Sequence, residues 1–264
     1  MDRIERLPVI LSIAGSDNTS GAGIQADIRA AAAAGTYAMT AVTAVTVQGL
    51  GGVVAVEPTA NVGAQIDEAL RIGVDAVKIG LVASAGQARE IASRLESLPE
   101  GTPIVVDTIM NPTAGRGFAA SAEDFAAKME PLLRIATVAT PNHSEFRALY
   151  PYEKGLSTAM DGFCRRYGSR AVAVTGVEIG PDELMDVLYY DGGKVRRIPH
   201  CIVDTPNTHG TGCSLSASIA ARMAQGRPAA DAFEDAVDWL CEALERGADV
   251  RFASGWRGAA NFLI

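Results

Sequence analysis

Short apolar runs closed by glycine or a small polar residue alternate with helix-period segments along almost the whole chain. That alternation constrains the fold more than any other feature. Leu7–Ala14 (LPVILSIA), Thr40–Val47, Ala76–Ile79, Pro103–Val106, Ala136–Ala139 and Ala171–Thr175 read as strands, several of them apolar throughout, as in strands buried on both faces. Between them Ile24–Ala34, Asn61–Ile72, Ala85–Leu98, Ala122–Leu133 and Leu156–Tyr167 have helical spacing. Val53–Val56 reads as a further short strand, and another helix begins inside Thr140–Glu145. Asp186–Tyr190 and Lys194–Pro199 flank Asp191-Gly192-Gly193, a hairpin signal. Two helices follow, one starting near Gly212 and running to Met223, the other from near Ala229 to Glu245; the tail, Ser254–Ile264, has no clear period. The pattern predicts one α/β domain over residues 1–264, with a mostly parallel sheet covered on both faces, right-handed crossovers and one antiparallel hairpin.

Apolar residues make up 48% of the 264, enough for the two-sided core such a sheet requires. The formal net charge of −8 argues against nucleic acid or an anionic membrane as the main partner. It remains compatible with a nucleotide, because local backbone donors and a metal outweigh a global charge. The charges on both sides of the first apolar run mark it as a strand rather than an export signal, and no apolar run is long enough to span a membrane. Cys164, Cys201, Cys213 and Cys241 have no CxxC spacing and read as reduced thiols of a cytoplasmic protein.

Four polar or glycine-rich stretches follow predicted strands, where open α/β sheets bind ligands: Gly15–Gly23, Asp107, Asn142–Glu145 and Gly210–Cys213. The last crowds small residues ahead of an Ala-rich helix. Glycines let the backbone approach a ligand, and a helix start leaves N–H groups unpaired, so Gly210, Thr211, Gly212 and Cys213 read as an anion site. Cys213 lies at the helix mouth, where a thiol pKa tends to fall. Its role stays open between an inert core residue, a nucleophile with His209 as base, and a base deprotonating a substrate hydroxyl beside a held phosphoryl group. The first loop, GSDNTSGAG, matches neither G-x-G-x-x-G nor the Walker A pattern, which argues against a dinucleotide or P-loop enzyme. Asn142 and Glu145, three apart at a helix start, fit either a reciprocal cap or, with Asp107, magnesium held through water and shared with phosphates. Asp107 alone also fits a turn cap. His143 and His209 have no third ligand at useful spacing, which argues against zinc. Gln48, at a strand end, can donate to and accept from a heteroaromatic ring, or simply face water.

The segments LSIAGSD, SGAGIQADI, TAVTAVTVQ, VKIG, VDT, TPN-HS-E and NTHGTGCSLSA, in that order, resemble the hydroxymethylpyrimidine/phosphomethylpyrimidine kinases of thiamine biosynthesis, a branch of the ribokinase-like superfamily that also includes pyridoxal kinases. The likeness runs through nearly the whole chain. It implies a ribokinase-like, doubly wound α/β/α sandwich, a homodimer, and ATP with Mg2+. By this resemblance the pyrimidine would lie near Gly15, Asp17 and Gln48, with Leu81 on its apolar side. Gly210 to Cys213 would form the anion hole with Cys213 as base, Asn142 and Glu145 the magnesium–phosphate motif, and Asp107, Thr175 and Gly176 further parts of the nucleotide side. The chain departs from the family at Asn18-Thr19-Ser20, at Gly49 (usually Asn), Leu81 (usually Met) and Thr175 (usually Lys), and at Ser254–Gly258, where a Gly/His-rich segment is usual. The implied activity is ATP-dependent phosphorylation of 4-amino-5-hydroxymethyl-2-methylpyrimidine, leaving open its monophosphate as a second acceptor. Pyridoxal or pyridoxine is the alternative acceptor. A non-catalytic pyrimidine- or nucleotide-binding protein and a Cys-dependent acyl-transfer enzyme are the readings from other classes.

Overall fold

Successive residues of a strand face opposite sides of a sheet, and β1 (Val9–Asp17) accordingly feeds two cores, Leu11 and Ile13 on one face and Ile10 on the other. The structure, a computed structural model, describes residues 6–110, 121–153, 155–252 and 258–260. After β1 come α1 (Gly23–Ala33), β2 (Tyr37–Gly49), β3 (Gly52–Pro58), α2 (Val62–Ile72), β4 (Ala76–Ile79), α3 (Ala85–Leu95) and β5 (Ile104–Val106). The chain continues through α4 (Ala122–Leu133), β6 (Val138–Ala139), α5 (His143–Leu149), α6 (Leu156–Tyr167), β7 (Ala171–Glu178), β8 (Glu183–Tyr190), β9 (Lys194–Cys201), α7 (Thr211–Ala224) and α8 (Ala229–Gly247).

One nine-stranded sheet holds these strands in the order β3-β2-β1-β4-β5-β6-β7-β8-β9. β2, β1, β4, β5, β6 and β7 pair in parallel, so their carboxyl ends share one edge. Winding reverses at β1, whose two neighbours are β2 and β4; such a switch point opens a crevice above the strand ends. Side chains of α2 to α6 pack on one face of the sheet, those of α1, α7 and α8 on the other. This is the doubly wound α/β/α sandwich expected from the sequence.

Two expectations need correction. Antiparallel pairing is not confined to one hairpin: β3 returns antiparallel on β2 at one edge, while β7, β8 and β9 form a meander at the other. The Gly51-Gly52 pair lies at the β2–β3 turn, and Gly52 takes a positive φ of 95° that glycine adopts without steric penalty. The first loop is also shorter than Gly15–Gly23, because Ser16 and Asp17 still pair with Val45 and Thr46 after a register shift at Gly15. The predicted loop Thr108–Gly117 and the tail after Ser254 lie largely outside the described residues.

Candidate active site

The parallel ladder continues past several strand ends and thereby places the side chains that follow. Gly80 N–H donates to Ile13, Asp107 N–H to Ile79, Thr140 N–H to Val106 and Thr175 N–H to Pro141, at 2.8, 2.8, 2.9 and 3.0 Å. Above these ends one cavity is lined by Gly15, Asp17, Gln48 and Leu81 on one side and by Asp107, Asn142, Glu145 and Thr175 on the other, with Gly210, Thr211, Gly212 and Cys213 between. Residues up to 198 positions apart thus face a single space. Gly176 is not in its wall. It turns away with φ +67°, where β7 loses register, and donates its N–H to Asp186 Oδ1 at 2.8 Å.

Asp17, expected beside a substrate ring, is committed to its own loop. Its buried carboxylate accepts from the N–H groups of Thr19, Gly21 and Ala22, from the Thr19 hydroxyl, and bonds His209 Nε2 at 2.8 Å. Burial pushes this carboxyl up, but the His209, Ala22 and Thr19 bonds outweigh it and bring the pKa down to about 2. Asn18 makes a paired contact with the Gln48 backbone, donating to its carbonyl at 3.0 Å and accepting from its N–H at 2.7 Å. Gln48 Nε2 donates to Thr46 Oγ1 at 2.9 Å, and that hydroxyl donates to Ser16 O. Among the described residues the Gln48 side chain has this one hydrogen bond, to Thr46, and its amide can donate one more and accept. At Gly15 a Cβ would come 2.9 Å from Leu81 Cδ2, so these two residues pack closely in the cavity wall.

Gly210 is the N-cap of α7 in the left-handed region, φ 82°, and a Cβ there would lie 2.1 Å from Gly21 O. The two glycine loops therefore touch. The first intrahelical bond runs from Ser214 N–H to Gly210 O, and the geometry of a helix start leaves the N–H groups of Thr211, Gly212 and Cys213 without intrahelical partners. Cys213 corrects the expectation drawn from its place at the helix mouth. Burial pushes its thiol up, Lys78 pulls it down, Asp107 and Asp27 push it up again, and the pKa rises to about 12. Gly23 N–H donates to its sulfur, and its S–H is hydrogen-bonded to Asp107.

Asn142 and Glu145 lie together in the cavity wall. They form a complete capping box on α5: Asn142 Oδ1 accepts from Glu145 N–H at 2.9 Å and Glu145 Oε2 from Asn142 N–H at 3.0 Å. Met110 N–H donates to the other carboxylate oxygen at 3.1 Å. Burial and the nearby Asp107 push the Glu145 pKa up to about 8. Among the described residues no group of three His, Cys, Asp or Glu side chains could hold a metal. One carboxylate with an amide suits an ion that keeps waters and takes its other ligands from phosphates.

Lys78 and Asp27 were not singled out from the sequence, yet both are fully buried beside this site, with Lys78 Nζ 2.9 and 3.0 Å from the two Asp27 oxygens. The available signals were a lysine inside the apolar AVKIG strand and an aspartate on a helix face otherwise lined by alanine.

Residues 17–256 match the sequence profile described as phosphomethylpyrimidine kinase. The hydroxymethylpyrimidine/phosphomethylpyrimidine kinase of Rhizobium meliloti is 37% identical over 255 residues, covering 94% of each chain; that of Bacillus subtilis is 32% identical over 245 residues, 89% of this chain and 88% of that one. The thiamine biosynthesis multifunctional protein of Corynebacterium efficiens is 38% identical over 272 residues, and the chain spans only 35% of its length. Among solved structures, an ADP complex of Bacillus subtilis pyridoxal kinase superposes with a TM-score of 0.83 at 27% identity, covering 96% of this chain and 97% of that one. The phosphomethylpyrimidine kinase of Clostridium difficile 630 superposes with a TM-score of 0.74 at 27% identity, covering 90% of this chain and 99% of that one.

Proposed function

The chain belongs to the phosphomethylpyrimidine kinase family, and from that premise we propose that it transfers the γ-phosphoryl group of ATP to the hydroxymethyl oxygen of 4-amino-5-hydroxymethyl-2-methylpyrimidine, a step of thiamine biosynthesis. The observation that carries this reading is that one cavity joins Gly15, Gln48 and Leu81 to Cys213 and the N–H groups of the Gly210 loop.

In this reading Gln48 orients the ring through its free amide atoms, while Leu81 and Gly15 form the surface it lies against. Asp17 acts through its loop rather than on the ring. Cys213 Sγ takes the hydroxyl proton as the substrate oxygen forms its bond to the γ-phosphorus. The bond to the bridging oxygen breaks, with its electrons remaining on ADP. The thiol's own proton passes to Asp107, with which it is already hydrogen-bonded, so a thiol pKa of about 12 does not leave the base idle. The N–H groups of Thr211, Gly212 and Cys213 receive the charge on the moving phosphoryl group, which needs positioning and charge compensation above all. Asn142 and Glu145 would hold Mg2+ through water and phosphate oxygens. When bound it would supply charge neutralisation on the phosphates.

Thr175, on the wall beside Asn142, belongs to the nucleotide side in this reading, and Gly176 shapes the β7 turn behind it. We also assign the chain to a homodimer in the cytoplasm. Supporting the first, Val45, Val47, Leu50 and Val54 are exposed together on the β2–β3 ribbon; supporting the second, all four cysteines are free thiols, and among the described residues no helix is long and apolar enough to cross a membrane.

The test is side-by-side turnover of the pyrimidine alcohol, its monophosphate and pyridoxal with ATP, products identified by mass. The pyrimidine alcohol is expected to be the best acceptor. Exclusive use of pyridoxal, the ligand named for one Staphylococcus aureus neighbour structure (TM-score 0.82, 26% identical), would replace the substrate and keep the reaction. Tight ring binding with no product from any alcohol would sink the kinase reading.

A further inference from the structure

A site that accepts ATP must offset several negative charges, yet the described residues of the cavity wall include no lysine or arginine. They do include three carboxyl groups: Asp17, held ionised by its hydrogen bonds, and Asp107 and Glu145, which burial pushes toward the neutral form. A buried cation lies one layer below. Lys78, on β4, has no accessible surface, and its ammonium is held by both oxygens of Asp27 from α1, itself fixed by Ser12 Oγ at 2.6 Å. The same ammonium is 3.8 Å from Asp107 Oδ2, a wall carboxylate that also accepts from Ser216 Oγ at 3.3 Å. Room is kept for it: a Cβ at Gly80 would come 2.7 Å from Lys78 Nζ.

Packing does not require this arrangement. A buried ion pair is replaced by apolar side chains of similar volume at little loss of stability, and often with a gain. What an apolar pair could not do is place a permanent positive charge under a cavity walled by carboxylates. Burial pulls the Lys78 pKa down, but Asp27, Cys213 and Asp107 outweigh it, and the group stays protonated. Burial pushes the Asp27 and Asp107 carboxyls up, and the ammonium draws both back down. Removing the lysine would take the fixed positive charge from beneath the place where phosphate must dock.

We propose that Lys78 is the counter-charge of this site: a positioning residue whose buried ammonium, anchored by Asp27 and acting through Asp107 and Cys213, offsets the negative charge that gathers at the Gly210–Cys213 loop. The proposal rests on the kinase reading for its effect on turnover, though not for its effect on anion binding.

Two single variants separate this role from packing, because both break the same ion pair with opposite electrostatic sign. Lys78→Met is expected to lower kcat/KM for ATP by at least about tenfold, the scale for one charge a few ångströms away at a partly screened site, with KM for the alcohol changed less than about twofold. Asp27→Asn loosens the anchor but leaves the ammonium facing Asp107, and should lower kcat/KM less than Lys78→Met does. Equal losses in the two variants would overturn the proposal. The double variant Lys78→Met/Asp27→Asn leaves neither half of the Lys78–Asp27 pair alone, only Asp107 without its cation, and is expected to unfold at a higher temperature than Lys78→Met while remaining as slow. A double variant with wild-type turnover would overturn it too. Calorimetric titration with inorganic phosphate needs no turnover, and the double variant should bind it about tenfold more weakly. Equal phosphate binding, or none by the wild type, counts against Lys78 even if the kinase reading stands. Absence of turnover by the wild type with every alcohol counts against that reading alone.

Discussion

At the scale of single residues, two side chains make the sharpest predictions. Cys213→Ala should lower kcat by roughly 10²–10⁴-fold, the range for loss of a general base, with little change in KM for either substrate. Steady-state kinetics with the folded variant checks this. Asp17 has a folded-state pKa of about 2 against 3.8 for the free group. A depressed carboxyl stabilises the fold in full above its unfolded pKa and loses that contribution as pH falls through the folded one. The wild type should therefore lose about 2 kcal/mol between roughly pH 4 and pH 2 from this group, and Asp17→Asn should be less stable at neutral pH and flatter across that window. Urea unfolding at several pH values reads both. The small-residue loop before α7 was legible as a helix start with a glycine N-cap. The Asp17 network was not, since nothing in GSDNTSGAG says that its acid turns inward to five donors, among them a histidine 192 positions away.

Elements were legible where periodicity alone decides them. Ala76–Ile79, Ala122–Leu133 and Leu156–Tyr167 begin and end where the pattern placed them. It failed at long-range pairing: β2 runs to Gly49 and β3 folds back on it because partners across the sheet extend a strand beyond its own apolar core. Asn142 and Glu145 show a limit of another kind. One spacing fits a helix cap and, in the proposed reading, a metal site, and the structure has the cap complete. Asn142→Ala should therefore cost about 1 kcal/mol of stability as well as activity, measurable by thermal unfolding without any ligand. Gly23 is the counterpart at α1: its φ is +59° and a Cβ would lie 2.2 Å from Gly15 O. Gly23→Ala should disturb the ring side and the start of α1 together, seen as a raised KM for the alcohol and a lower Tm.

For the molecule as a whole, strand–helix alternation was enough for the layered architecture, while the position of the site followed from the single reversal of winding at β1. If Val45, Val47, Leu50 and Val54 lie against a second copy, light scattering will give twice the monomer mass, and Val54→Lys, at a position 76% exposed, should halve it without loss of fold. The His209 junction bears on the order in which the site assembles. Its ring grips Asp17, its N–H donates to Gly258 O and its carbonyl accepts from Ala260 N–H, so the loop before α7 is fastened at once to β1 and to residues 258–260. Both moorings are far away along the chain, and closing such long loops costs entropy before any contact repays it. On refolding from urea this loop should therefore gain hydrogen-exchange protection later than the parallel strands, so that a layered sheet precedes a finished site.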